Sequence, residues 1–216
     1  MMFKYWKEEM MVLLISTMMG LTLTPITEAA TSQLSNGSTG SAVVLLQSNL
    51  NLVDNSHLTL DGDFGNLTKQ IVEQFQKSKG LSPDGIVGPL TQRALTTSAL
   101  IKEAESHIGL PYVWGGTSPV TGFDCSGFMQ YIFGQQGVTL DRVSADQAKN
   151  GNEVSYSTIQ PGYLMFFSMN QSGTVDHVGM YIGNGIMIGS ESAGIRKVDI
   201  TTAYWQSRLI VCRSQY

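Results

Sequence analysis

The sequence predicts a two-part chain: an all-α domain of three short helices, then an α+β domain in which helices pack on an antiparallel sheet. Three observations predict it. An internal repeat over residues 40 to 97 sets two loop-to-helix units in series. Helical periodicity dominates from residue 98 to about residue 149. Beyond Gly162, period-two alternation and hairpin turns take over. At 216 residues and 42% hydrophobic content, the chain is long enough for one or two cores.

Residues 1 to 30 stand apart from this pattern. Lys4 and Lys7 precede an apolar run from Met10 to about Leu23, Pro25 interrupts it, and the small residues Thr27, Ala29 and Ala30 follow. That order is the layout of a secretory signal peptide, with cleavage expected after Ala29 or Ala30. The run is shorter than the ~20 residues of a membrane-spanning helix, so no stable span is expected once the signal is removed. A retained anchor is the alternative, because Glu8 and Glu9 weaken the positive start. Residues 31 to 39, rich in Gly, Ser and Thr, read as a flexible linker. A formal net charge of -4 with 13 Lys and Arg leaves no basic surface for nucleic acid.

In the first domain, residues 40 to 97, the segment Asp61-Gly62-Asp63-Phe64-Gly65-Asn66-Leu67-Thr68 returns 23 residues later as Asp84-Gly85-Ile86-Val87-Gly88-Pro89-Leu90-Thr91. Each copy is an Asp-Gly turn running into a helix, since glycine tolerates positive φ. Asn66 is placed to cap the first of these helices and Pro89 to open the second. Val43, Leu46 and Leu50 make one apolar stripe, and Ile71, Val72 and Phe75 another. His57 falls in a loop as an exposed residue.

The second domain, residues 98 to 216, starts with a helix over 100 to 108 with Leu100, Ala104 and Ile108 on one face, stopped by Gly109. Helices over 125 to about 135 and 144 to 149 follow. Strands are expected over 163 to 167, 175 to 182, 186 to about 190, 195 to 200 and 208 to 213, with Gly183-Asn184-Gly185 turning a hairpin.

The candidate chemistry lies in Asp124-Cys125-Ser126-Gly127-Phe128 and Asp176-His177-Val178-Gly179. Asp124 can cap a helix whose first turn carries Cys125, where the helix macrodipole favours a thiolate nucleophile. Gly127 lets a substrate or backbone approach closely. Strand parity puts His177, Gly179 and Tyr181 on one face and Val178, Met180 and Ile182 on the other, which should be the core face. His177 then points away from the packed side, as a general base in a cleft would. His107 reads as surface or boundary. Cys212 can pair with Cys125, but its Leu209-Ile210-Val211 setting points to a buried strand residue. No metal cluster or cofactor motif is present in the sequence, and this chemistry needs none.

Two resemblances add to this. Val43-x-x-Leu46-Gln47-x-x-Leu50, the two Asp-Gly repeats, Phe75-Gln76 and Gly80-Leu81 together resemble a peptidoglycan-binding domain of the three-helix type. That implies non-covalent attachment to bacterial peptidoglycan, although the same Asp and Gly residues can be read as building turns alone. Gly109-x-Pro111-Tyr112-x-Trp114-Gly115-Gly116, Phe123-Asp124-Cys125-Ser126-Gly127-Phe128, Pro161-Gly162 and Asp176-His177-Val178-Gly179-Met180-Tyr181-Ile182-Gly183 resemble the NlpC-type cysteine peptidases, papain-like enzymes that cut stem peptides of the cell wall.

The second resemblance implies Cys125 as nucleophile and His177 as base, with Tyr112, Asp124, Ser126 and Arg142 on the substrate side. In members that require a free amino-terminal L-alanine, the positions of Asp124 and Ser126 hold that amine. The family often carries a third polar residue, frequently His, twelve residues after the catalytic His; here that slot is Gly189. Glu191 shares the strand face of Gly189 and can orient His177 instead; the other candidate is a backbone carbonyl or water. A second departure is Tyr163, where Pro-Gly-Asp-Leu is common. The implied protein is a secreted, wall-associated hydrolase, expected to be a D-glutamyl-diamino acid endopeptidase. The alternatives are an N-acetylmuramoyl-L-alanine amidase or a wall-binding protein with a decayed site.

Overall fold

Three helices form around the apolar stripes of the first domain: α1 (Ser41–Asp54), α2 (Asn66–Ser78) and α3 (Pro89–Ser106). The computed structural model describes residues 33–215; the expected signal peptide and the first two linker residues lie outside them. Val43, Leu46, Leu50, Val72, Phe75 and Leu95 share one core with Phe64 and Val87. Pro89 opens α3 as expected. Asn66 is not a cap: Gly65 holds the N-cap position, and the Asn66 side chain accepts a hydrogen bond from Asn36 at 2.7 Å.

The repeat builds two equivalent turns. Gly62 and Gly85 sit at φ 75° and 73°. A buried glutamine clamps each. Gln47 accepts from Gly62 N–H at 3.0 Å and donates to Asp61 Oδ1 at 2.7 Å. Gln76 accepts from Gly85 N–H at 2.9 Å and donates to Asp84 Oδ1 at 2.8 Å. Satisfying a buried amide in this way explains the repeated Asp and Gly as turn builders. Residues 34 to 38, expected as part of a loose linker, are tied down. Leu34 exchanges backbone hydrogen bonds with Val87, and Gly37 and Ser38 bond Phe64.

The sequence suggests a new helix near residue 100, but α3 runs unbroken through residues 97 and 98. No Gly or Pro interrupts it after its first residue. Leu95 belongs to the first core, while Leu100 and Ala104 belong to the second. Ile108, expected on the same face, lies beyond the helix end and is exposed. Two further contacts join the halves. Asn49 on α1 and Gln136 exchange paired amide hydrogen bonds at 2.8 and 2.9 Å. Arg93 on α3 donates to the Tyr163 hydroxyl and lies over its ring, 5.5 Å from the centroid. The residue that departs from the family pattern thus carries a contact to the helical domain.

The second domain holds β1 (Thr117–Ser118), β2 (Gly122–Phe123), α4 (Cys125–Gly134), α5 (Ser144–Gln147), β3 (Asn152–Val154), β4 (Leu164–Phe167), β5 (His177–Gly183), β6 (Ile186–Glu191), β7 (Gly194–Asp199), α6 (Ala203–Gln206) and β8 (Leu209–Ser214). The last six strands form one antiparallel sheet in the order β3-β8-β4-β5-β6-β7. Asn184 and Gly185, both at positive φ, turn the β5–β6 hairpin. Leu164, Phe166, Val178, Met180 and Ile188 pack against Phe128, Met129, Ile132 and Phe133 of α4. The opposite face is also covered, by Met165, Phe167, Met187, Val198, Cys212 and Trp205. His177 therefore does not face an open side: a second, smaller apolar cluster lies there. Cys212 is free and buried within it, and burial pushes its thiol up to about 11.

Candidate active site

The start of α4 is built by Asp124. Its Oδ1 accepts from Gly127 N–H at 2.7 Å, which caps the helix, and its Oδ2 accepts from Gly115 N–H at 3.0 Å. Arg142 adds a two-pronged ion pair, Nη1 to Oδ1 at 3.1 Å and Nη2 to Oδ2 at 2.6 Å. Burial opposes ionisation of Asp124, but the Arg142 guanidinium and the Gly127 and Gly115 amides outweigh it and hold the carboxyl below its usual range. Ser126 Oγ donates to Asp124 Oδ1 at 3.3 Å and accepts from Arg142 Nη1 at 3.1 Å. The amine-holding role implied for Asp124 thus meets a carboxylate already bonded on both oxygens.

Gly127 is required by the protein's own backbone. A Cβ there would stand 2.2 Å from Gly116 O, the carbonyl that accepts from Asp124 N–H at 3.1 Å. The close approach expected at Gly127 is made by this loop.

Cys125 occupies the first position of α4 and is 7% exposed. His177, at the start of β5, and Glu191, at the end of β6, are each 8% exposed. His177 Nε2 lies 3.0 Å from Glu191 Oε1, and Cys125 neighbours the same ring closely enough to shift its pKa. With Nε2 engaged by Glu191, Nδ1 is the nitrogen left for the thiol. Burial pulls the His177 pKa down, yet its interactions with Cys125 and Glu191 and their negative charge outweigh it and raise the group from 6.5 to about 10. A Cβ at Gly189 would meet Glu191 Oε1 at 3.0 Å, so the Glu191 carboxylate lies against the slot that Gly189 leaves open.

Tyr112 lies within electrostatic reach of both groups. Burial raises its pKa, and so do the nearby Cys125, Asp124 and Glu191. The structure thus brings Cys125, His177 and Glu191 together, and beside them Tyr112, Asp124, Ser126 and Arg142.

Sequence reasoning missed four supporting residues. Trp205 on α6 lies 5.9 Å from the His177 ring, and Phe167 lies 6.2 Å from it on the same side. Buried Ser190 donates to Phe123 O at 2.8 Å, tying β6 to the residue before Asp124. A hydroxyl on the apolar face of β6, next to Ile188 in that alternation, was the available signal for Ser190. Gln147 donates to Ser126 O at 3.1 Å and to Asp141 O at 2.7 Å, bracing the loop that carries Arg142.

Residues 109–214 match the NlpC/P60 family model, and residues 39–95 match that of a putative peptidoglycan binding domain. The bifunctional muramidase/DL-endopeptidase CwlT of Bacillus subtilis (strain 168) is 40% identical over 112 residues, 51% of this chain and 34% of that protein. The gamma-D-glutamyl-L-lysine dipeptidyl-peptidase of the same strain is 38% identical over 128 residues, 58% of this chain and 43% of that protein. The crystal structure of an NlpC/P60 family protein from Bacillus cereus ATCC 10987 is similar with a TM-score of 0.53 at 38% identity, covering 55% of this chain and 40% of that one. The chain spans less than half the length of these relatives.

Proposed function

The chain belongs to the NlpC/P60 family, and on that premise we propose that it is a cysteine peptidase that hydrolyses peptidoglycan stem peptides between D-glutamate and the diamino acid. The observation that carries this reading is buried His177, bonded to the buried carboxylate of Glu191 and neighbouring Cys125 at the start of α4. The names of the two Bacillus subtilis relatives, one a DL-endopeptidase and one acting at D-glutamyl-L-lysine, support the choice of bond.

In the proposed mechanism, the Cys125 thiolate attacks the D-glutamyl carbonyl, and the Cys125 backbone N–H at the first turn of α4 stabilises the oxyanion. A thioester forms as the C–N bond breaks, and the imidazolium proton of His177 passes to the leaving amine. Water then attacks the thioester, His177 takes its proton, and the thiolate departs. Glu191 fixes the imidazole through Nε2 and stabilises its charged form. Burial of all three groups strengthens these interactions by excluding water.

The Arg142 pair narrows the substrate. An ammonium would have to displace a guanidinium bound through two hydrogen bonds to Asp124. This favours stem peptides whose L-alanine is acylated, still joined to the glycan. Attachment to the wall through residues 39–95 and export through residues 1 to 30 complete the reading. The decayed-site alternative rested on Gly189 alone, and Glu191 now stands against that slot.

Digestion of purified peptidoglycan, followed by mass spectrometry, tests the proposal. The protein should release fragments ending in a new D-glutamate carboxyl, and Cys125→Ala should release none. Equal products from both proteins would end the cysteine mechanism. Free glycan with whole stem peptides would instead indicate the amidase.

A further inference from the structure

Trp114 is 87% exposed, whereas Trp205 is 6% exposed. Tryptophan is among the more buried residue types on average, so an indole left in water calls for a reason. Flexibility does not supply one. Val113 N–H donates to Phe123 O at 3.0 Å, Gly116 N–H donates to Val113 O at 2.9 Å, and Gly115 N–H donates to Asp124 Oδ2 at 3.0 Å. The backbone on both sides of Trp114 is thus pinned to the residues that open α4. The side chain stands one residue from an amide that binds the Asp124 carboxylate. Val143, next to Arg142, is another exposed apolar side chain beside the same ion pair, at 49% exposure.

We infer that Trp114 is a stacking platform for the saccharide to which the stem peptide is attached. This rests on the reading of the site as a stem-peptide hydrolase. If Asp124 and Arg142 neutralise each other, the substrate's L-alanine presents an acyl group there, and the chain continues outward into a sugar. The C–H face of a pyranose is apolar and its hydroxyls are polar, which suits an indole with one apolar face and a wet rim. The platform extends the catalytic cleft beyond the peptide and gives the second domain its own contact with glycan, separate from that of residues 39–95.

The test uses the full chain and two substrates with the same peptide, one capped by N-acetyl on L-alanine and one carrying the N-acetylglucosaminyl-N-acetylmuramoyl disaccharide. The wild-type protein should prefer the disaccharide-linked substrate by about tenfold in KM, a factor typical of one well-placed aromatic contact. Trp114→Ala should erase that preference, and Trp114→Phe should restore part of it. A preference that survives Trp114→Ala, or an equal loss on both substrates, would overturn the inference. Calorimetric titration of Cys125→Ala and Cys125→Ala/Trp114→Ala with the disaccharide-linked peptide reads the same contact without turnover. If the wild type cuts neither substrate, the hydrolase reading fails, while a binding difference between these two variants still supports the platform and its absence rejects it.

Discussion

Glu191→Gln is the substitution that most directly probes the site. It keeps the shape and the hydrogen-bonding capacity of the side chain but removes the charge 3.0 Å from His177 Nε2. A hydrogen bond to a charged partner is worth roughly 1.5–3 kcal/mol. At about 1.36 kcal/mol per pKa unit, its loss lowers the His177 pKa by about one to two units. The direction is firm, because burial already pulls this imidazole down and Glu191 is one of the two groups that oppose it. If the same energy stabilises the imidazolium in the transition state, kcat/KM falls roughly 10- to 150-fold.

Proton NMR can follow His177 against the only other histidines, His57 and His107, with the pH profile of kcat/KM measured alongside. The fold favours the charged imidazole, so its contribution to stability is complete below about pH 6.5 and is withdrawn as the pH rises to about 10. Wild type should therefore lose more thermal stability than Glu191→Gln between neutral and alkaline pH. An unmoved His177 titration with kcat/KM within about twofold of wild type would refute the role given to Glu191.

Two further outcomes test the scaffold. Gly127→Ala should destabilise the protein by about 1–3 kcal/mol in a denaturant titration, because its Cβ meets a backbone carbonyl that cannot swing away; an unchanged midpoint would refute the close approach. Asn49→Ala should cost about 1–3 kcal/mol by leaving the Gln136 amide without its partner, and Asn49→Ala/Gln136→Ala should cost less than the sum of the single changes. Strict additivity in that cycle would show that the pair does not couple the two halves.

Much of the site is written locally. Asp124, Cys125 and Gly127 lie within one helical turn, so a cap and a nucleophile at a helix start follow from residues three apart. Period two on β5 puts Val178 and Met180 into the α4 core, and the same period on β6 brings Glu191 to the side of Gly189. The Asn184-Gly185 turn brings these strands together, and a bulge between Tyr181 and Gly183 sets the register in which His177 meets Glu191.

Other features depend on residues far apart. Arg142 reaches Asp124 from 18 residues away, and Ser190 reaches Phe123 across 67. Nothing near Trp205 in sequence points to His177; the folding of α6 onto the second face of the sheet decides that contact. Gly-, Ser- and Thr-rich composition suggested a loose linker, but two strand-like bridges, Leu34 with Val87 and Thr39 with Asp63, overrode it. The unbroken α3 was equally hidden. Thr96, Thr97 and Ser98 look like a boundary, yet a polar stretch on a helix continues wherever packing on either side holds the backbone.

By itself the sequence determined the two-part architecture, the nucleophile at a helix start and the histidine on its strand, because caps, turns and side-chain parity act over a few residues. Only the tertiary structure decided that Asp124 is closed by Arg142, that Glu191 engages His177 beside the Gly189 slot, and that one helix serves both cores. Those outcomes depend on which distant groups share a buried, water-poor space, where an unpaired charge or amide is costly and each polar atom must find its partner.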